Sequence, residues 1–441
     1  MRTIIFLLTA MLCPTLMAAN THAFKLDNGL KVIVKEDSRA PVAVSMLWYN
    51  VGSADETGGT TGISHALEHL MFKGTPKYPL GVFSKTIASL GGQENAFTST
   101  DYTAYFEKIA TKHLDKSLAL EADRMQHLLL DPEEFKKEMK VIQEERRMRT
   151  DDNPQALAYE RFLATAHLAS PYHHPVIGWM TDIEQLTVAD IRLWYDQFYA
   201  PNNATLVIVG DVKEQDIRKL AQKHFGHIPK KPPLLRKKQP EPPALGKKQL
   251  HVEAPAKLPL MLVGYTVPSL TTSDTKTAPY TLEVIAALLD GGHSGRLNER
   301  IIRGNEMATA LSVDYNLFSR YQTQFIVFGV PSSKVSLEKL SKTVTKELEL
   351  LKKELVSEQE LARVKTQLIA QKTYERDSIF SQAMELGMLE TVGLGWQEAE
   401  AYEKQIRAVT ASDIQRVANA YFNENRMTEA HLLPSEIQEV Q

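Results

Sequence analysis

The sequence predicts an α+β fold of two similar domains, each a mostly antiparallel sheet packed against helices. Strand-like and helix-like segments are mixed along the 441 residues without a regular βαβ rhythm. That length exceeds what one hydrophobic core of ordinary size accommodates, which favours two domains. Residues 228–248 are too rich in Pro and Lys to pack as a helix or strand. We expect them to be a linker that joins the domains into a clasp.

The two halves on either side of this segment resemble each other. Residues 186–191 read Leu-Thr-Val-Ala-Asp-Ile, residues 409–414 read Val-Thr-Ala-Ser-Asp-Ile, and an aromatic pair follows each at the same distance. This similarity predicts an internal duplication. A chance resemblance between two amphipathic helix starts is the alternative. We therefore expect a first domain at residues 20–227 and a homologous second domain at residues 249–441.

Local patterns predict individual elements of the first half. Apolar and polar residues alternate on both sides of Asn28-Gly29, a pair that suits the positive dihedrals of a tight turn, so a β-hairpin is expected there. A strand at residues 42–51 and a Gly-rich stretch precede a helix that begins near Ile63. Further helices are expected at residues 113–149 and 154–167, and a buried strand at residues 204–210.

Composition and charge narrow the classes of function. The chain has 43% hydrophobic and 24% charged residues and a net charge of -3, as a soluble globular protein does. A nucleic-acid-binding protein would carry a marked basic excess, so no nucleic-acid partner is expected.

The first residues are typical of a secretion signal. Arg2 precedes an apolar run at residues 4–12 and the small residues Ala18 and Ala19, which predicts a signal peptide at residues 1–19 and an exported protein, periplasmic in a bacterium. An apolar N-terminal helix that stays on the protein is the alternative. No later apolar stretch is long enough for a membrane span. Because the single cysteine, Cys13, lies within the signal, we expect no disulfide and no thiolate metal site after processing.

A pattern typical of metal binding lies in the helical stretch that begins near Ile63. Residues 65–69 read His-Ala-Leu-Glu-His, and residues three and four apart share one face of a helix, so His65, Glu68 and His69 can converge on one zinc ion. Two imidazoles leave the metal in need of a third protein ligand, and a hydrolytic site keeps a fourth position for water. Glu68 is suited to take a proton from that water as it attacks a carbonyl.

The surrounding residues extend the motif. Residues 62–75, Gly-Ile-Ser-His-Ala-Leu-Glu-His-Leu-Met-Phe-Lys-Gly-Thr, resemble the signature of the insulinase and pitrilysin family of zinc metallopeptidases, which includes the mitochondrial processing peptidases. The resemblance implies a third zinc ligand about 75 residues beyond the motif, preceded by another glutamate. Glu145 matches the ligand and Glu138 the carboxylate that steadies the site. Without the family, the charged run at residues 144–147 indicates only a solvated helix face.

The resemblance also implies a peptide-binding edge strand within residues 91–106. An extended peptide can pair with such an edge through main-chain hydrogen bonds, and Asn95, Ala96 and Phe97 are the expected contacts. For Phe97 a packing role in the sheet is equally open. Adjacent His173 and His174 lie between prolines, which favours a loop over a metal site.

The second half lacks a pair of residues that the resemblance implies for an active site. Members of the family use an arginine and a tyrosine seven residues apart to hold the substrate backbone. Here the matching positions are Gly304 and Leu311. We therefore expect a heterodimer with a homologous subunit that has no zinc site and supplies this pair. A homodimer in which Arg303 or Tyr315 compensates is the alternative.

Together these features predict a zinc endopeptidase with one Zn2+ per chain that acts on extended or unfolded peptides. A non-catalytic peptide-binding or assembly subunit on the same fold is the alternative, although it would need no Glu68. A metallohydrolase with a non-peptide substrate remains a third candidate.

Overall fold

The computed structural model describes residues 21–435 apart from residues 234 and 238. The predicted signal peptide at residues 1–19 lies outside the described residues. The described helices and strands, in chain order, are β1 (Thr21–Lys25), β2 (Lys31–Glu36), β3 (Val42–Tyr49), α1 (Ile63–Leu70), α2 (Val82–Ser89), β4 (Gln93–Thr98), β5 (Thr103–Ala110), α3 (Leu114–His127), α4 (Pro132–Arg146), α5 (Pro154–Ala166), α6 (Met180–Ile183), α7 (Val188–Phe198), β6 (Ala204–Gly210), α8 (Glu214–Phe225), β7 (Lys248–Ala254), β8 (Leu260–Val267), α9 (Thr277–Leu289), β9 (Ala308–Tyr315), β10 (Thr323–Pro331), α10 (Leu337–Lys353), α11 (Glu358–Glu375), α12 (Ile379–Thr391), α13 (Glu398–Ala408), α14 (Ala411–Tyr421) and β11 (Met427–Pro434).

The strands form two sheets with matching topology. The first sheet has the order β1-β2-β6-β3-β5-β4, with β2 and β6 parallel and the other pairs antiparallel. The second has the order β7-β11-β8-β10-β9, with β7 and β11 parallel and the other pairs antiparallel. Two mostly antiparallel sheets packed with helices confirm the predicted α+β fold class.

The internal similarity has a structural counterpart in helices α7 and α14. Each begins with a capping box, in which Thr187 pairs with Asp190 and Thr410 pairs with Asp413. Each helix is followed by a short 3-10 turn and then by the strand that pairs in parallel within its sheet. The shared capping chemistry and strand order agree with a duplicated fold.

Each half contributes one helix that packs against the sheet of the other half. Helix α5 of the first half packs Ala158 and Phe162 against the second sheet, where Leu262 is one of their neighbours. Helix α12 of the second half packs Ala383 and Leu386 against the first sheet. Each sheet therefore buries one face against a helix from the opposite half, and the contact is apolar and close.

Among its described residues, the segment at residues 228–248 contains no helix or strand before β7 begins at Lys248. Individual side chains nevertheless attach it to the rest of the protein. Arg236 bonds Asp55 Oδ1 at 2.5 Å. Glu241 accepts hydrogen bonds from the backbone N–H groups of residues 168–170 at 2.7 to 3.1 Å. From the second half, Arg320 Nη1 also reaches Asp55, at 3.1 Å from Oδ2. Asp55 thus joins the first half, the connecting segment and the second half.

The first hairpin differs from the tight two-residue turn that was predicted. Gly29 has a φ of 94°, whereas Asn28 has no positive φ. The Gly29 N–H donates to Leu26 O at 2.9 Å, so Asp27 and Asn28 are the central turn residues and Gly29 follows in the left-handed region. This is a three-residue connection, and the Asn28 side chain instead holds the carbonyls of Phe225 and Ile228.

The helical stretch predicted at residues 113–149 is interrupted. Helix α3 ends at His127 and α4 begins at Pro132, with the Asp131 side chain capping it through the N–H groups of Glu133 and Glu134. Proline is favoured at the first turn of a helix and disfavoured in its interior, which explains the break. After α4 the backbone forms a π-helical turn at Arg147–Asp151. The predicted second helix corresponds closely to α5.

Candidate metal centre and peptide-binding edge

Helix α1, which carries the His-x-x-Glu-His motif, is capped by a side chain from outside the motif. Its N-cap is Gly62, with a φ of 86° and no capping side chain of its own. The buried Glu56 carboxylate accepts hydrogen bonds from Gly62 N at 2.7 Å and Ser64 N at 2.9 Å. Glu56 thereby satisfies two backbone donors that the start of a helix leaves free. Sequence reasoning missed it, because it precedes the motif across a Gly-rich stretch.

Three side chains converge at one point on helices α1 and α4. One ligand atom from each of His65, His69 and Glu145 lies within 4.8 Å of the others. Glu145 Oε2 is 3.6 Å from His65 Nε2 and 3.4 Å from His69 Nε2. The neighbouring Glu144 is exposed and pairs with Arg147. The structure thus brings together the three residues predicted as metal ligands.

The surroundings of this group fit a metal ion. Glu145 Oε2 is buried and has no hydrogen-bond partner among the described residues, although it faces two imidazoles. Burial lowers the pKa of His65 to about 3, so its ring is neutral and keeps a lone pair for coordination. Two imidazoles and a carboxylate are a donor set that zinc commonly takes in hydrolytic sites, with a fourth position left open.

Glu138 lies behind His69. Its Oε1 is 2.9 Å from His69 Nδ1, and its other oxygen forms an ion pair with Lys73. Burial opposes the charge of Glu138, but the contacts with His69 and Lys73 outweigh it and lower its pKa. A carboxylate on Nδ1 fixes the tautomer that presents Nε2 to a metal. Glu138 therefore contacts the candidate metal ligand His69, as predicted, whereas the sequence pattern did not indicate a role for Lys73.

Glu68 faces the same space from α1. Its Oε2 accepts a hydrogen bond from Thr98 Oγ1 at 2.5 Å. Burial raises the pKa of Glu68 above its usual value, which makes the carboxylate a stronger proton acceptor. Thr98 ends strand β4, so it links the predicted base, Glu68, to the strand predicted to bind peptide. Sequence reasoning had not assigned a function to Thr98.

Strand β4 is the outer strand of the first sheet and contains the three predicted substrate contacts. It pairs with β5 on one side, and its other edge is unpaired among the described residues. Asn95, Ala96 and Phe97 all line the cavity at the metal centre. The Phe97 ring also packs edge-on against Trp48 at 5.5 Å, so its side chain stabilises the sheet. The predicted span of residues 91–106 also includes part of β5, an interior strand.

A cavity of about 630 Å³ extends from the metal centre. His173 and His174 border it, with ring centroids 4.0 Å apart. Burial lowers the pKa of His174 to about 4, so this ring is neutral. The histidine pair lies on a short 3-10 turn and outside the metal group, in agreement with the predicted loop. Its place in the cavity wall was not predicted, because only the fold brings this loop opposite β4.

The second-half positions that the resemblance assigns to the arginine and tyrosine pair carry neither side chain. Gly304 ends a π-helical turn, and Leu311 lies on the outer strand β9. The Tyr315 hydroxyl donates to Pro268 O at 2.8 Å, and Arg303 donates to His293 O at 2.6 Å.

The sequence matches two family descriptions. Residues 31–178 match Insulinase (Peptidase family M16), and residues 185–368 match the Peptidase M16 inactive domain. The zinc protease PqqE of Helicobacter pylori is 34% identical over 416 residues, which cover 93% of this chain and 92% of that protein. The chain belongs to the insulinase family of peptidases, and the predicted resemblance is confirmed.

Two further comparisons extend over nearly the whole chain. A protein of Bacillus subtilis named uncharacterized zinc protease YmxG is 24% identical over 404 residues, covering 91% of this chain and 96% of that protein. The crystal structure of a protease from Helicobacter pylori superposes with a TM-score of 0.89 at 32% identity, covering 94% of this chain and 100% of that one. The sequence similarity therefore extends over nearly the whole length of the Bacillus subtilis protein, and the fold is shared with the Helicobacter pylori protease.

Proposed function

We propose that this protein is a zinc-dependent endopeptidase that hydrolyses extended or unfolded peptides. His65, His69 and Glu145 are the proposed ligands of one Zn2+ per chain, and Glu68 is the proposed general base. The observation that carries the proposal is the buried, unpartnered Glu145 Oε2, which faces the Nε2 atoms of both imidazoles. Such an oxygen costs free energy when it is left without a partner, and a divalent cation would provide one.

Each residue of the proposed site has a separate role in the reaction. Bound zinc would polarise the scissile carbonyl and make water more acidic. Glu68 accepts a proton from the attacking water and can pass it to the leaving amine. Thr98 holds Glu68 at the end of β4, and Glu138 holds the His69 ring through Nδ1.

The unpaired edge of β4 supports an extended peptide as substrate. Main-chain pairing there would hold a peptide beside Glu68 without a requirement for a particular sequence. A folded protein cannot offer a free strand to an edge inside a cavity. Cleavage of a denatured protein should therefore be much faster than cleavage of its stable native form, and equal rates would argue against this substrate class.

The proposal is tested by separating metal binding from hydrolysis. Glu68→Gln should retain one zinc per chain and lose hydrolysis by about 10²-fold or more, because an amide cannot take the proton. Glu145→Gln should lose zinc, while the adjacent exposed Glu144→Gln should keep both zinc and activity. Substantial turnover by Glu68→Gln would show that another group is the base. If a His65→Ala, Glu145→Gln double variant still bound zinc, the proposed metal site would be wrong.

We further propose that the active form is a heterodimer. Gly304 and Leu311 occupy the positions where the family's arginine and tyrosine are expected, and the side chains of Arg303 and Tyr315 are engaged elsewhere. A homologous subunit without the zinc motif would supply the missing pair. The test compares peptide cleavage by the isolated chain with cleavage by its mixture with such a homologue. Full activity of the isolated chain would refute the heterodimer. Zinc binding without hydrolysis in both samples would favour a peptide-binding subunit instead.

The proposed location is the periplasm, on the basis of the predicted signal at residues 1–19. Across residues 21–435, leaving aside 234 and 238, the structure has no helix with the length and apolar character of a membrane span. N-terminal sequencing of the protein recovered from the periplasmic fraction would test export, and an uncleaved N terminus would contradict it.

A further inference from the structure

Arg149 lies at the candidate metal centre, on the turn that follows α4. Its Nη1 is 2.7 Å from Glu145 Oε1, an ion pair between residues four apart. The other oxygen, Glu145 Oε2, has no hydrogen-bond partner in the described part of the chain and faces His65 and His69. The two oxygens of one carboxylate thus have different surroundings, one held by a guanidinium and one directed at the imidazoles.

The turn that presents Arg149 is itself fixed. Residues Arg147–Asp151 form a π-helical turn, a rare geometry that often occurs at functional sites. Immediately before it, the buried Arg146 bonds Asp151 at 3.1 Å, the carbonyl of Gly178 at 3.2 Å, and the buried Glu160 of α5. The backbone on both sides of Arg149 is therefore held by the body of the protein, although the Arg149 side chain itself reaches the cavity.

A second ion pair involves Glu138, the carboxylate that contacts His69. Lys73 pairs with Glu138, which in turn holds His69 Nδ1. The centre thus contains three carboxylates, Glu68, Glu138 and Glu145, with one cation beside each of the latter two. A carboxylate without such a partner can rotate and offer a metal either oxygen or both. The Arg149 side chain is 72% exposed, but its guanidinium pairs with one oxygen of the largely buried Glu145 carboxylate and leaves the other for the metal.

We propose that Arg149 is a positioning residue of the metal site, which orients Glu145 so that only Oε2 is available for coordination. The inference rests on the proposed zinc function and adds a residue that the His-x-x-Glu-His motif does not include. Partners of metal-binding side chains commonly change metal affinity when they are removed, because the ligand loses its fixed orientation.

The test compares Arg149→Gln with Arg147→Gln in the full-length protein. Arg147 lies on the same turn and is exposed, as Arg149 is, but it pairs with Glu144 away from the centre, so it is a matched control. Competition with a zinc chelator should give about a 10-fold weaker zinc affinity for Arg149→Gln and no change for Arg147→Gln. In zinc-saturated enzyme with its partner, kcat should fall while KM stays nearly constant. Arg149→Lys should be intermediate, because an ammonium keeps the charge but not the planar geometry.

The outcomes separate the two proposals. Wild-type zinc affinity and kcat in folded Arg149→Gln would overturn the role of Arg149. If that variant does not fold, Arg149→Lys decides in the same way, and an affinity equal to wild type would overturn the inference. A wild-type protein that binds no zinc, or binds it independently of His65, would instead overturn the proposed function itself.

Discussion

At the scale of single residues, the motif and its distant glutamates were predictable from the sequence, whereas their supports were not. His65 and His69 are four apart on a helix, so their convergence follows from helix geometry alone. Glu145 and Glu138 required the resemblance to a family. Glu56 contacts the start of α1 and Thr98 contacts Glu68 only in the folded chain, so no local pattern indicates either contact.

Glu56 provides the first prediction. Glu56→Ala should leave the N–H groups of Gly62 and Ser64 without their acceptor and lower the free energy of unfolding by about 1–3 kcal/mol. Zinc affinity should fall as well, since the first turn of α1 carries His65. Urea unfolding and chelator competition measure the two effects. Glu144→Ala is the control for loss of a carboxylate, and an equal effect in both variants would contradict a capping role.

Gly178 provides the second prediction, because it lies against the start of α1, the helix that carries His65 and His69. It has a φ of 90°, and a Cβ there would lie 2.5 Å from Thr61 O. Gly59 has a φ of 93° with nothing within 4 Å of such a Cβ, so Gly59→Ala measures the backbone cost alone. Gly178→Ala should destabilise by about 1–3 kcal/mol more than Gly59→Ala and should weaken zinc binding. Equal unfolding energies for the two variants would show that the contact can relax.

At the scale of elements, most helices and strands of the first half could be placed from periodicity, but their partners could not. The expected strand at residues 204–210 is β6, and the expected helix at residues 154–167 is α5. Nothing in the pattern of α5 shows that its apolar face packs on the sheet of the other half. An amphipathic stripe specifies that a face is buried without specifying against what.

The third prediction concerns α12 and the first sheet. A Cβ on Gly387 would lie 2.1 Å from two atoms of the Trp48 indole. Without a packing contact, Gly→Ala inside a helix raises the free energy of unfolding by about 0.5–1 kcal/mol. We expect Gly387→Ala to lower it instead, because the added methyl group would collide with Trp48. Urea unfolding measures it. Adding Trp48→Phe should make room and recover part of the loss. A stabilising effect of Gly387→Ala alone would mean that α12 does not press on Trp48.

At the scale of the whole molecule, two domains were predictable from length and internal similarity, and the connecting segment from its composition. We propose residues 228–248 as the domain boundary. What composition could not show is that Arg236 and Glu241 attach this segment to the first half. These contacts could not be predicted because an irregular segment has no hydrophobic periodicity. In addition, the partners of Arg236 and Glu241 are mostly backbone atoms, which the sequence does not distinguish.

The fourth prediction uses the charge of Glu241. Burial opposes this charge, but the adjacent His167 and the N–H groups of residues 168–170 outweigh it and lower the pKa from 4.5 to about 2. The unfolded chain therefore takes up this proton first as pH falls, so the stabilisation is complete above pH 4.5 and lost towards pH 2. Glu241→Gln should lower the free energy of unfolding by about 1–3 kcal/mol at pH 7.

Two measurements check Glu241. The difference in unfolding free energy between wild type and Glu241→Gln should shrink as pH falls from 4.5 to 2. An added protease should cut the native protein mainly within residues 228–248, and faster in the variant. Glu253→Gln, on β7 and exposed, is the control carboxylate. A pH-independent difference would rule out the ionised carboxylate as the source of the stabilisation.

The exchange of α5 and α12 has a consequence for how the protein is made. A ribosome releases the six strands of the first sheet well before α12, so one face of that sheet lacks its cover until much of the second half has been synthesised. Helix α5, in turn, is synthesised before any strand of the second sheet, against which it packs. Domains of a multidomain chain generally fold in order of synthesis, but here each half lacks one covering helix that the other half supplies. Both sheets are therefore fully covered only when almost the entire polypeptide is available.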